Sequence, residues 1–322
     1  MALFLRPHQK PIPISFTKAV EAPSSLTRKR SIPSRTSFEL VPAFEGLNFV
    51  EPVQLLEIPG SQDWMVVCKP GQVWTFSSAD PLGSQRVVLD ISHEVQNTVD
   101  GGLMGVAFHP EVGGNTGQSK DFLYIYYYYS PENQAESGGG YRRLARFEWE
   151  ASTQRAIPES EVLLIQQFDP QHWHSGGSLF FDELGFLYLS LGDAGAFTKG
   201  NAFTQQIDQG FFGGVIRIDV DQRAELGHPI RRQPISSPEK PAHWPESFTQ
   251  GYFIPDDNPW QDEEGGYLEE FFAIGLRSPH RMTQDPVSGN IWVADIGEAQ
   301  REEISLLPMG SNLQWPYREG EQ

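Results

Sequence analysis

The sequence predicts an all-β fold arranged as a β-propeller, and three observations carry that expectation. From Val53 onward, short apolar runs recur between turn signals, and none keeps a sustained helical period. Aromatic residues make up 12% of the 322 residues, while 31 glycines and 25 prolines supply turn formers, a mix that favours many short strands over long helices. Three segments also share one layout of strand, turn, strand, polar exit and later strand, as repeated antiparallel blades do.

Residues 1–43 are rich in Pro, Ser, Thr, Lys and Arg and have no apolar period, so they are expected to be a disordered basic extension. Leu3, Phe4 and Leu5 fall far short of a secretory signal. Residues 44–322 are expected to hold the propeller. Trp64 to Cys68 and Gln72 to Phe76 read as strands of a weaker first blade spanning Val53 to Leu89. Gly105 to Phe108, Phe122 to Tyr129 and Leu144 to Trp149 make a second. Ser178 to Phe181 and Phe186 to Leu191, joined by a Glu-Leu-Gly turn and followed by Val215 to Asp219, make a third. Phe271 to Ile274, Asn290 to Ala294 and Glu303 to Leu307 supply the last runs, with long inserts at Asp193 to Phe212 and Leu226 to Glu270. About four blades result. An incomplete ring leaves two apolar faces wet, so the chain is expected to be a fragment, to pair with another polypeptide, or to shelter those faces in another way.

Net charge is −18 and unevenly spread: residues 1–38 hold seven Lys or Arg against Glu21 alone, which leaves 17 basic and 41 acidic residues in the remainder. Such a body excludes nucleic acid as a partner. Cys68 stands alone within WMVVC, so no internal disulfide forms and a buried, inert thiol is expected. No run approaches the roughly 18 apolar residues of a membrane helix.

Chemistry is expected around residues 172–193, HWHSGGSLFFDELGFLYLSLGD. A polar, glycine-bearing turn leads into one strand of the hairpin, and Gly192 and Asp193 end the other, so both polar ends return to one side. His174 and Asp193 then become neighbours, and a carboxylate beside an imidazole fixes its tautomer for general base work. A His before a Gly-rich turn and an Asp after a strand are also ordinary loop residues. Asp256 and Asp257, ahead of Asn258 and Pro259, offer oxygen to a cation but read more simply as turn residues.

Eight motifs in order, GGLMGVAFHP, HSGGSLFF, LYLSLGD, GGVIRIDV, DNPW, AIGLRSPHRM, WVADIGEAQREEI and GSNLQWPYREG, resemble the soluble glucose/sorbosone dehydrogenases over residues 50–322. Those proteins are six-bladed quinoprotein propellers related to Hedgehog-interacting-protein-like domains. The resemblance implies a six-bladed type of propeller that here ends after about four blades. It implies oxidation of an aldose or related polyol hydroxyl, with hydride passing to pyrroloquinoline quinone (PQQ), calcium polarising that cofactor, and an external electron acceptor. His174 falls on the family's catalytic base, Asp193 on the acid that orients it, and Arg277 on the arginine that contacts the quinone oxygen. Asp100 falls on a polar position facing the cofactor, and Gly297 and Glu298 fall where backbone carbonyls reach calcium. A periplasmic or secreted location is implied as well.

Some positions depart from the family pattern. Trp173 stands where some members have an acid, Ser178 where an arginine often stands, and Thr198 near an expected glutamine. The family also supplies cations for the three quinone carboxylates from blades after residue 322, so the chain by itself is expected to bind the quinone poorly. Two other functions are weighed against the dehydrogenase: a non-enzymatic, calcium-stabilised propeller that binds a protein or glycan, and a propeller hydrolase with a central calcium.

Overall fold

A computed structural model describes residues 43–114, 120–131, 139–195 and 203–320. The extension expected to be disordered lies outside these residues apart from Ala43, as does Thr198. The chain divides into residues 1–47 and 48–322, and every described strand belongs to the second unit. Strands β1 (Pro52–Glu57), β2 (Asp63–Cys68), β3 (Gln72–Ser77) and β4 (Arg86–Asp90) form the first blade as a simple meander. In the second blade β5 (Leu103–Phe108), β6 (Phe122–Tyr129), β7 (Gly140–Glu150) and β8 (Arg155–Asp169) repeat it. Strands β9 (Leu179–Phe181), β10 (Leu187–Leu191) and β11 (Gly214–Ile218) open the third. A small pair, β12 (Gly227–Pro229) and β14 (Phe253–Pro255), follows. Strand β13 (Phe248–Thr249) crosses to the edge of the second blade beside β8, and β15 (Phe271–Ile274) completes the third blade beside β11. The fourth blade has three strands: β16 (Pro279–Gln284), β17 (Ile291–Asp295) and β18 (Glu303–Leu306).

Alternating side chains bury one face of each sheet against the next. Met65, Val67 and Val73 of the first blade pack with Leu103, Leu123 and Ile125 of the second. Phe186, Tyr188 and Val215 of the third pack with Met282, Ile291 and Val293 of the fourth. Each such side chain removed from water contributes about 1.5–3 kcal/mol. The expected thiol is also found buried, and burial raises its pKa.

Two features differ from the sequence expectation. The second blade does not end near Trp149: β8 runs for 15 residues, and its polar first half, Arg155 to Glu161, leaves no apolar run to read. The innermost strands also close on one another. Gln54 of β1 exchanges two hydrogen bonds with the backbone of Val106 in β5 (3.1 and 2.8 Å). Ser178, just before β9, accepts from the Met282 amide of β16 (2.9 Å), and Arg281 of β16 donates to the Val53 carbonyl of β1 (2.6 Å). An arginine thus spans the gap between first and last blades. The outer face of β17 and β18 stays apolar and open: Trp292 is 40%, Ile304 78% and Leu306 41% exposed.

Asp256 and Asp257 serve the turn. Asp257 pairs with Arg217 (2.8 Å), and the Asn258 side chain donates to the carbonyls of Arg217 and Glu269 (3.0 and 2.8 Å). A separate cluster, His109, Glu111 and Asp221, surrounds the ammonium of Lys120. Burial opposes ionisation of Asp221, but His109 and Lys120 pull it down to about 2. It is an ion network in which Lys120 already pairs with both carboxylates. No described helix is long and apolar enough to cross a membrane, which says nothing of a β-barrel.

Burial pushes Glu270 up to about 7, against the opposing pull of a hydrogen bond from the Tyr252 hydroxyl (2.7 Å). A carboxyl whose folded pKa lies above its unfolded one binds extra protons in the folded state, so its contribution to stability is lost as pH rises toward 7. Glu270→Gln is neutral at every pH. Its melting temperature is expected to gain on the parent as pH rises from about 5 to about 8, and a pH-independent difference in thermal denaturation would count against this account.

Candidate active site

The hairpin of the third blade forms as its sequence suggests. Leu179, Phe180 and Phe181 pair with Leu189, Tyr188 and Leu187, and the Asp182 carboxylate caps the turn by accepting from the amides of Leu184 and Phe186. Its two polar ends meet. Gly177 donates to the Ser190 carbonyl (2.9 Å), and a Cβ at Gly192 would lie 1.8 Å from the His174 carbonyl oxygen, so this approach requires glycine. Gly177 has φ +97°, and a side chain there would strike Met104 and Tyr126.

His174 is held in the left-handed region, φ +53°. Its Nδ1 lies 2.6 Å from Asp193 Oδ1, as predicted. The same oxygen accepts from Gly195 N (2.7 Å), and Oδ2 accepts from Trp315 Nε1 (2.7 Å). Asp193 is 1% exposed, so these donors are its solvation. An acceptor-only carboxylate assigns the hydrogen to Nδ1 and leaves Nε2 as the basic nitrogen. The His174 amide donates to Asp100 Oδ2 (3.1 Å), so the Asp-Gly-Gly turn of residues 100–102 also fixes the histidine.

Behind this assembly lies a buried ion pair that the sequence reading does not single out. Arg142 of β7 is 1% exposed and Asp169 is fully buried, with Nε 2.6 Å from Oδ2. The remaining guanidinium nitrogens donate to the carbonyls of Gly192 (2.7 Å), Trp173 and His174 (both 3.3 Å). One side chain therefore clamps both ends of the hairpin. Nothing in the sequence sets it apart: Arg142 is one of five charged residues in β7, beside Arg143, Arg146, Glu148 and Glu150.

Arg277 sits in the link between β15 and β16. Its amide and that of Ser278 donate to the Asp295 carboxylate (3.0 and 2.6 Å), which burial pushes up to about 7 against those two bonds. The guanidinium lies 5.5 Å from the Trp315 ring centroid and donates to the Ile296 carbonyl (3.0 Å), while its Nε is buried without a partner among the described residues. Trp315 belongs to a motif noted in the sequence, yet its place between Asp193 and Arg277 depends on the chain returning from 122 residues away.

His174, Asp100 and Arg277 line one cavity of about 290 Å³, together with Lys69, Met104 and His280. Gly297 and Glu298 do not line it; they follow Ile296, which does. The amides of Glu298, Ala299, Gln300 and Arg301 all donate to Glu319 Oε1 (2.7–3.2 Å), and the carbonyls of Gly297 and Glu298 accept no hydrogen bond among the described residues. Of the departures from the family pattern, Trp173 is 41% exposed and Ser178 ties the third blade to the fourth.

The family model described as Glucose / Sorbosone dehydrogenase matches residues 49–239 and 249–322. The HIPL2 protein of Arabidopsis thaliana is 25% identical over 287 residues, covering 78% of this chain and 39% of its own. The aldose sugar dehydrogenase YliI of Escherichia coli is 25% identical over 265 residues, covering 82% and 58%. The PQQ-bound aldose sugar dehydrogenase of Streptomyces coelicolor has the same fold, with TM-score 0.58 at 16% identity over 85% of this chain and 65% of that one. The chain spans less than two thirds of the length of these relatives.

Arg142→Met leaves the Asp169 carboxylate buried and unpaired, a change expected to cost about 3–5 kcal/mol in urea denaturation. The double variant Arg142→Met, Asp169→Leu removes that charge and is expected to recover part of the loss. A double variant no more stable than the single one would show that the lost carbonyl clamp, and not the stranded charge, dominates.

Proposed function

The chain belongs to the glucose/sorbosone dehydrogenase family, and on that footing we propose that its cavity oxidises a hydroxyl of an aldose or related polyol with pyrroloquinoline quinone as acceptor. The observation that carries the proposal is the chain of contacts from His174 through Asp193 and Trp315 to Arg277, which sets a basic nitrogen and a cation against one cavity. A binding surface has no need of that set.

The residues suit the quinone. Among the described residues Arg277 Nε and Ser175 Oγ are buried donors without partners at the cavity wall, and such atoms are costly unless a ligand completes them. When bound, the quinone supplies a hydride acceptor and calcium would polarise it, the free carbonyls of Gly297 and Glu298 being the candidate ligands. His174 Nε2 takes the substrate hydroxyl proton while Asp193, through Nδ1, holds the ring in that tautomer and stabilises the imidazolium that forms. General base catalysis of this kind contributes about 10²–10⁴-fold. Arg277 stabilises negative charge developing on the acceptor oxygen, and Trp315 keeps arginine and aspartate at fixed spacing. Asp100 fixes the histidine backbone. An external acceptor would be needed to take the electrons from the bound group, and a periplasmic or secreted setting suits a diffusible quinone.

A second reading, a propeller that binds a protein or glycan without turnover, is favoured by the open face of Trp292, Ile304 and Leu306. One experiment separates the two. The purified chain is titrated with PQQ and calcium, then tested for dye reduction with a panel of aldoses beside His174→Ala. Turnover is expected in the parent once the quinone is supplied at concentrations that offset the weak binding expected of this chain, with a loss of at least about 10²-fold in the variant and quinone binding retained. Quinone binding without any aldose oxidation would overturn the dehydrogenase reading.

A further inference from the structure

One cation at the cavity has no role in the scheme above. Lys69 follows β2 in a tight turn, and both of its backbone groups are tied to flanking segments: its amide donates to Glu51 O (2.9 Å) and its carbonyl accepts from Leu103 N (2.8 Å). Its stem runs over Gly102, where a Cβ would lie 2.5 Å from Lys69 Cγ and 3.3 Å from Cε. With φ +151°, that glycine leaves the space the lysine uses. The ammonium donates to the carbonyls of Thr98 and Val99 and lines the same cavity as His174 and Arg277.

This chain has acids to spare, and it sets them against Arg142, Arg143, Arg217 and Arg223. Neither Lys69 nor Arg277 pairs with one among the described residues. Asp100 is the acid at the cavity, and one of its oxygens already accepts from the His174 amide. An ammonium has three donors, and two carbonyls use two of them without neutralising its charge. A concave site that sets two cations against one acid in an acidic protein fits an anionic ligand.

We infer that Lys69 receives a carboxylate of the quinone, so that part of the counter-charge to this tricarboxylate comes from the first blade. The inference rests on the quinone reading above. Arg277 faces the reacting oxygen; Lys69 takes the carboxylate by a charge-assisted hydrogen bond and holds the ring in register with His174.

The test compares affinities for PQQ and for its trimethyl ester, followed by fluorescence, in the parent chain, Lys69→Met and Lys69→Arg. The parent is expected to prefer the acid. Lys69→Met is expected to lose about tenfold or more toward the acid and little toward the ester, while Lys69→Arg stays near the parent. Equal losses for acid and ester would assign Lys69 only to holding the 98–102 turn, and no loss would remove it from the site; either overturns the inference while leaving the quinone reading intact. A parent chain that binds neither compound overturns both.

Discussion

The buried Arg142–Asp169 pair is the constraint on which the site depends. An isolated guanidinium in a strand interior is strongly unfavourable, and here it is offset by one carboxylate and three backbone carbonyls. Those carbonyls belong to residues 173, 174 and 192, the two ends of the hairpin that carries His174 and Asp193. The pair thus converts a feature of the second blade into the geometry of the third. Because the guanidinium is planar and its donors diverge in fixed directions, the spacing of the hairpin ends follows from its shape.

Trp315 performs a similar service on the other side. It is 6% exposed, its carbonyl accepts from Thr204 and Gln205, and its indole nitrogen donates to Asp193 while its ring lies against Arg277. Asp295 holds the backbone of Arg277 from below. The candidate base and the candidate oxyanion partner therefore share supports, and displacement of one is transmitted to the other. Such mutual support is what a preorganised site requires.

Charge is divided in the same purposeful way. The body is strongly acidic, yet its cavity presents Lys69 and Arg277, neither in an ion pair among the described residues, against the single acid Asp100. The ring of inner strands closes through Arg281 on Val53, while the outer face of β17 and β18 keeps its apolar side chains in water. There the Arg281 side chain donates to a backbone carbonyl, where sheet-to-sheet packing joins the other blades.

Much of this was legible in the chain itself. Strand positions followed from short apolar runs bounded by turn signals, and the meeting of His174 with Asp193 followed from hairpin geometry, because an antiparallel pair returns its ends to one place. Local order therefore determined the blades and the pair at the hairpin mouth. The polar half of β8, the crossing of β13, and the convergence of Arg142, Trp315 and Lys69 on that mouth were decided only by tertiary structure. Burial and pairing of a charged or indole side chain depend on which distant segments pack around it, and one-dimensional spacing carries no record of that.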